Sequence, residues 1–176
     1  MQRGGRYEEM KNIVLTGFMG TGKTAVGKEL ARRLSMRFID IDLEIEKAEA
    51  MPIRDIFAKK GEGYFREVEA EMIRKYSAEK NLVIATGGGS VLRDMNLAAL
   101  RENGVVFCLT ARPETIHERI SRNDDRPLLA GDDRMQKITE LLDARSPLYA
   151  QAGILIDTDD KTPLQVADEI MGIASR

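Results

Sequence analysis

Apolar positions along the chain fall into two alternating patterns. Short uninterrupted runs at residues 12–16, 82–86 and 105–109, with briefer ones at 37–40 and 154–156, are β-branched or aliphatic and too short for helices. Such runs predict strands buried on both faces. Between them apolar residues recur every three or four positions, the spacing of a helix face: Val26, Leu30 and Leu34; Phe65, Val68, Met72 and Tyr76; Met135, Ile138 and Leu142; Leu164, Ala167, Ile170 and Ala174. Further helices are expected at about 94–101 and 113–122. Two helical stretches flank Met51-Pro52, where proline suits a helix start, and Gly61 with Gly63 interrupts the chain before the helix that carries Phe65. Doubly buried strands separated by helices predict an α/β fold, a parallel sheet with helices on both faces.

Length and composition narrow the function. The 176 residues suffice for one domain, and 43% apolar with 32% charged residues excludes disordered and collagen-like chains. Lys plus Arg number 27 against 29 Asp plus Glu, a net charge of −2, so no bulk positive field holds a polyanion and no nucleic-acid partner is expected. Any anion must be bound locally. With no run of 18 apolar residues and no apolar leader, no membrane partner is expected and the chain reads as cytoplasmic. Residues 1–10 read as a flexible extension, the domain as 11–176, and no sustained heptad asks for an assembly, which favours a monomer. Cys108, the single cysteine, lies within the run 105–109 and reads as a core residue, as do Met72 and Met135. His117 has no Cys or second His near it and reads as a surface residue.

The chemistry begins at Gly17-Phe18-Met19-Gly20-Thr21-Gly22-Lys23-Thr24, which fits the phosphate-loop pattern between a predicted strand and a predicted helix. Backbone N–H groups of Gly20, Thr21, Gly22 and Ala25 would face phosphate oxygens at the helix N-terminus, Lys23 would reach the β- and γ-phosphates, and the Thr24 hydroxyl would ligate Mg²⁺. Switch and motor proteins usually carry a magnesium-supporting Asp at the end of a buried strand. Here those strands end in Thr86-Gly87 and Thr110. The acids follow the second strand instead, at Asp40 and Asp42. If the chain stays extended there, alternate side chains share one side, with Asp40 toward a metal and Asp42 toward an acceptor hydroxyl as base or orienting group. Asp42 is also placed to cap a helix that starts at Leu43.

Gly87-Gly88-Gly89 ends a strand at the edge of a parallel sheet where ligands bind, so it is expected to let backbone approach a small polar ligand; a hinge is the alternative. Three arginines carry less information by themselves. Arg66 lies three residues before Glu69, which fits an exposed ion pair, and Arg145, beside Pro147, fits a cap on the last carbonyls of a helix. Arg126 lies in a polar stretch with Asp124, Asp125, Asp132 and Asp133, as a lid over about 122–134 would.

Taken together, the phosphate loop with Val26-Gly27 after it, Phe38-Ile39-Asp40-Ile41-Asp42, Phe65-Arg66 with Glu69, the glycine triplet, Asp125-Arg126-Pro127-Leu128-Leu129 and Arg145-Ser146-Pro147-Leu148-Tyr149 resemble the shikimate kinase family. The resemblance runs from about residue 11 to the C-terminus. It implies a P-loop fold like that of nucleoside monophosphate kinases, with a five-stranded parallel sheet, a substrate-binding helical insert over about 42–77 and a short lid. It implies transfer of the ATP γ-phosphate to the 3-hydroxyl of shikimate, with Mg²⁺, in aromatic amino-acid biosynthesis. On the matching positions it implies that Asp42, Arg66, Arg145 and the backbone of Gly87, Gly88 and Gly89 bind shikimate. Thr24 and Asp40 would serve the metal, Arg126 the phosphates, and Arg119 and Lys161 the adenine. The rivals are a gluconate or nucleoside-monophosphate kinase on the same fold, and a nucleotide-binding regulatory domain that has lost transfer.

Overall fold

A computed structural model describes residues 11–121 and 133–175. Its strands are β1 (Asn12–Gly17), β2 (Arg37–Asp40), β3 (Leu82–Ala85), β4 (Gly104–Thr110) and β5 (Ile154–Asp157). Its helices are α1 (Lys23–Leu34), α2 (Ile41–Glu49), α3 (Ile53–Ser77), α4 (Asp94–Asn103), α5 (Pro113–Ser121), α6 (Arg134–Ala152) and α7 (Pro163–Ala174), with a 3₁₀ turn at Ser90–Leu92. The strands form one parallel sheet in the order β2-β3-β1-β4-β5. This is the expected α/β architecture. The crossover after β1 runs to β2 on one side and the crossover after β3 passes β1 to β4 on the other, so the crevice for a ligand opens at the C-terminal end of β1, where the phosphate loop begins.

Period-two alternation divides the sheet's side chains between two cores. Ile13, Leu15, Val83, Phe107 and Leu109 pack against α1 and α7. On the other face Val14, Ile84 and Val106 meet Ile41, Ile45, Phe65, Val68 and Ile73 of α2 and α3. A third cluster joins Phe18 and Cys108 to Ile116, Ile120, Ile138 and Tyr149, which seats α5 and α6 beside the phosphate loop. Cys108 is fully buried, and burial pushes its thiol up to about 11, so it is the inert core residue expected. Gly27 has a packing reason: a Cβ there would stand 2.3 Å from the Phe38 ring, which closes the gap between α1 and β2.

Several local expectations change. Gly61 does break the helical run, with φ +84° inside α3, but Gly63 is ordinary helix. β5 is an edge strand, and Ile154 and Leu155 are exposed rather than doubly buried. Met135 and Leu164 are exposed as well; α7 buries Ala167 and Ile170 of the expected stripe together with Val166, while Ala174 is exposed. His117 is partly covered rather than fully at the surface. The helix of Arg145 does not end beside Pro147 but continues to Ala152. Proline there removes one backbone donor, and Ser146 Oγ donates to the Leu142 carbonyl one turn back (2.8 Å), while buried Tyr149 and Ala152 hold the last turn in place. Residues 1–10 and 122–132 lie outside the described residues, as does Arg126; residue 134 already belongs to α6. No described helix is long and apolar enough to cross a membrane.

Candidate active site

The phosphate loop joins β1 to α1. Gly20 and Gly22 take φ of +79° and +94°, a conformation that L side chains rarely adopt, and they turn the chain into the helix. No side chain caps α1, so its first N–H groups are left to a ligand, the arrangement that binds anions. Thr21 is buried; its hydroxyl donates to Phe18 O (2.8 Å) and its backbone N–H points to the same carbonyl (3.4 Å), so this residue braces the loop. Lys23 Nζ donates to Gly17 O and Phe18 O, both at 2.8 Å, and so rests on the loop's own carbonyls. Thr24 Oγ1 donates to Asp40 Oδ2 at 3.0 Å, which brings a hydroxyl and a carboxylate together at the loop's mouth.

The acid pair arises differently from the extended-chain expectation. Helix α2 starts at Ile41, and the cap is Asp40, whose Oδ1 accepts from the Asp42 N–H at 3.2 Å. Asp42 is therefore neither an extended residue nor the cap; it lies in the first helical turn. Its carboxylate still reaches the glycine triplet, because a Cβ on Gly87 would stand 2.9 Å from Asp42 Oδ1 and 3.2 Å from Glu69 Oε1. A Cβ on Gly89 would meet the Arg66 guanidinium at 2.9 Å. The triplet's glycines thus make room for three charged side chains. This close approach, at Gly87 and Gly89, is by the protein's own side chains.

Arg66 is not the exposed ion pair that its spacing suggests. Nη1 meets Glu69 Oε2 at 2.9 Å, and the Glu69 side chain is only 1% exposed against 24% for Arg66. Half-burial opposes the charge on Arg66, but hydrogen bonds and charge from Glu69 and Glu62 outweigh it and raise the guanidinium above its usual range. Glu69 in turn accepts from buried Ser90 Oγ (2.6 Å), next to the triplet. Arg93 Nη1 donates to the Arg66 carbonyl (3.0 Å) and so ties α3 to the segment after the triplet. Ser90 and Arg93 were not anticipated. Glu69 had a signal, since it stands four residues after Phe65 on the helix's apolar side, where an acid must have a partner.

Arg119 and Lys161 border a cleft of about 230 Å³ with Gly22, Ala25 and Pro163, beside the phosphate loop. Arg119 donates to Thr158 Oγ1 (2.9 Å) and Thr158 O (2.8 Å) and reaches Gly20 O (3.4 Å), so its plane is fixed there. The Lys161 ammonium is engaged by Glu169 at 2.8 Å. Arg145 lies on α6 with its guanidinium carbon 5.9 Å from the centroid of the Phe18 ring. Four residues on, Tyr149 donates to Gly88 O at 2.8 Å. Lys23, Asp40, Asp42, Arg66, Arg119, Arg145, Lys161 and the triplet therefore all line the C-terminal edge of the sheet, and of the expected site only Arg126 lies outside the described residues.

Comparisons with known proteins agree on one family. The family model for shikimate kinase matches residues 19–174. Shikimate kinases of Thermodesulfovibrio yellowstonii and Caldanaerobacter subterraneus are 51% and 53% identical over 162 residues, 92% of this chain and 94% and 95% of theirs. The solved shikimate kinase of Acinetobacter baumannii in complex with shikimate superposes with a TM-score of 0.89 at 37% identity, over 95% of this chain and 94% of that one. The match thus takes in nearly all of the phosphate loop together with the acid pair, the glycine triplet and Arg145, and this chain belongs to the shikimate kinase family.

Proposed function

We propose that this chain transfers the γ-phosphoryl group of ATP to the 3-hydroxyl of shikimate, in line and without a covalent enzyme intermediate. The observation that carries it is the acceptor pocket itself: a carboxylate (Asp42) and a guanidinium (Arg66) converge on a side-chain-free triplet, and the triplet abuts the phosphate loop. A Cβ on Gly88 would stand 3.3 Å from Gly17 O. A carboxylate-bearing polyol needs such a set. Arg66 and Arg145 offer planar donor forks to the carboxylate, as lysine would not. Backbone of Gly87, Gly88 and Gly89 faces the ring hydroxyls, and Asp42 orients the attacking hydroxyl and takes its proton.

On the donor side, the N-terminus of α1 and Lys23 hold the phosphates, with Gly20, Thr21, Gly22 and Ala25 supplying backbone, while Arg119 and Lys161 flank the adenine. Phosphoryl transfer demands little covalent work from the protein, so positioning and positive charge around the moving group supply most of the acceleration. Arg126 is assigned to that charge. Mg²⁺ suits the oxygen pair Thr24 and Asp40, since this ion binds through few protein oxygens together with phosphate and water. When bound it neutralises charge on the β- and γ-phosphates. One chain supplies every group named, which fits a monomer working in the cytoplasm, with ATP and shikimate as its partners.

Arg145→Ala tests the acceptor side. It is expected to raise the KM for shikimate by about 10²-fold, the scale of a lost charged hydrogen bond, and the KM for ATP by less than about threefold. Equal changes in both would remove Arg145 from the carboxylate.

A further inference from the structure

Resting on the function just given, we infer that the Tyr149 hydroxyl is a positioning group for the acceptor: it holds the Gly88 carbonyl and so fixes the peptide planes of the glycine triplet. The triplet has no side chains with which to hold itself. Two of its carbonyls are bound within its own turn, Gly87 O by Ser90 N (3.2 Å) and Gly89 O by Leu92 N (3.1 Å). The middle one, Gly88 O, is held from outside, by Tyr149 on α6, 61 residues away in sequence. The peptide from Gly88 to Gly89 is planar, with its C=O and N–H antiparallel, so a carbonyl held at α6 turns the Gly89 N–H to the opposite side.

The tyrosine is built for this. Its side chain is 4% exposed and packed with Phe18, Cys108, Ile138 and Ala152, which leaves the ring no freedom to follow a moving loop. Burial raises its pKa, and the hydrogen bond from Arg145 offsets only part of that rise, so the phenol stays a neutral donor. Arg145 stands one helical turn before it, on the same face. The guanidinium proposed for the carboxylate and the hydroxyl that holds the triplet thus stand on one face of α6. Gly88 is confined on its other side too, since a Cβ there would lie 3.3 Å from Gly17 O and 3.6 Å from Met19 N of the phosphate loop.

Tyr149→Phe removes the hydroxyl and keeps the ring. With shikimate as the probe, its Kd by calorimetry and its KM are expected to rise about five- to tenfold, the scale of one hydrogen bond, with the KM for ATP and kcat within about twofold. Tyr149→Leu, which also loses the ring, should show the same acceptor loss together with a lower melting temperature. A Tyr149→Phe protein whose shikimate Kd and KM stay within about twofold of wild type overturns the inference, as does equal loss of ATP and shikimate affinity or a loss confined to thermal stability. The wild-type chain assayed in parallel separates the two claims. Phosphorylation of shikimate with an unaltered Tyr149→Phe protein overturns this inference alone, whereas a wild-type chain inactive on shikimate overturns the function and the inference with it.

Discussion

Replacing Lys23 with alanine is expected to lower kcat by about 10³-fold or more, with the melting temperature nearly unchanged. The ammonium rests on Gly17 O and Phe18 O in the structure, so the loop is already folded around it, and Phe18 O keeps the Thr21 hydroxyl as a donor when it is gone. The loop's own shape comes from Gly20, Gly22 and the Thr21 hydroxyl, which the substitution leaves alone. When ATP binds, the charge that now faces two carbonyls is available to the β- and γ-phosphates, and its value grows as charge spreads over the transferring group. Steady-state kinetics beside a thermal melt measures both quantities. Near-normal turnover would remove Lys23, and with it the phosphate-loop assignment, from the chemistry.

The second large effect is expected at Asp42. Asp42→Asn keeps the size of the side chain and leaves the start of α2 intact, because the cap is the Asp40 carboxylate accepting from the residue-42 N–H. In the proposed role it removes the charge that would take the proton from the acceptor hydroxyl, and such a loss costs about 10²- to 10⁴-fold in kcat. ATP affinity should hold, since the residues assigned to the phosphates and the adenine are elsewhere. Fluorescence or calorimetric titration with ATP, set against kcat, separates the two. Loss of ATP affinity equal to the loss of turnover would put Asp42 on the donor side instead.

Much of the fold was legible in the sequence because buried parallel strands are written as continuous apolar runs and the helices between them as stripes. β1 and β3 show this most plainly, being buried along their whole length. The edge strand β5 was located correctly but its exposure was not visible, since Ile154 and Leu155 carry the same apolar signal whether or not a neighbour covers them. The phosphate loop was readable because its chemistry is local: glycines, lysine and threonine act within one turn. The acceptor side was harder, because its parts meet only in three dimensions. Spacing alone gave Arg66 an exposed ion pair, and the burial of Glu69 beneath it depends on Ser90, which arrives from beyond β3. For Arg145, Pro147 suggested a helix end, yet the packing of Tyr149 against the third core cluster carried the helix through. Asp42 was assigned to the acceptor for a reason the structure replaces: its place in a helical turn, rather than alternation along a strand, turns it toward Gly87.

The near-neutral total of charge fits the same picture. Cations that would serve as anion ligands are spread from Lys23 to Lys161 in sequence and line one edge of the sheet, while acids elsewhere balance them. A field of that kind suits two small anions and not a long polyanion.

Acceptor-dependent ADP release over shikimate, quinate, gluconate, AMP and CMP tests the central claim most directly. The expected result is release with shikimate at a kcat/KM at least about 10²-fold above that with gluconate, AMP or CMP, because those acceptors also carry an anionic group for Arg66 and Arg145 but not on a ring that sets a hydroxyl at Asp42 at the same time. Comparable release with gluconate or a nucleoside monophosphate, or release that does not depend on an acceptor, would contradict it.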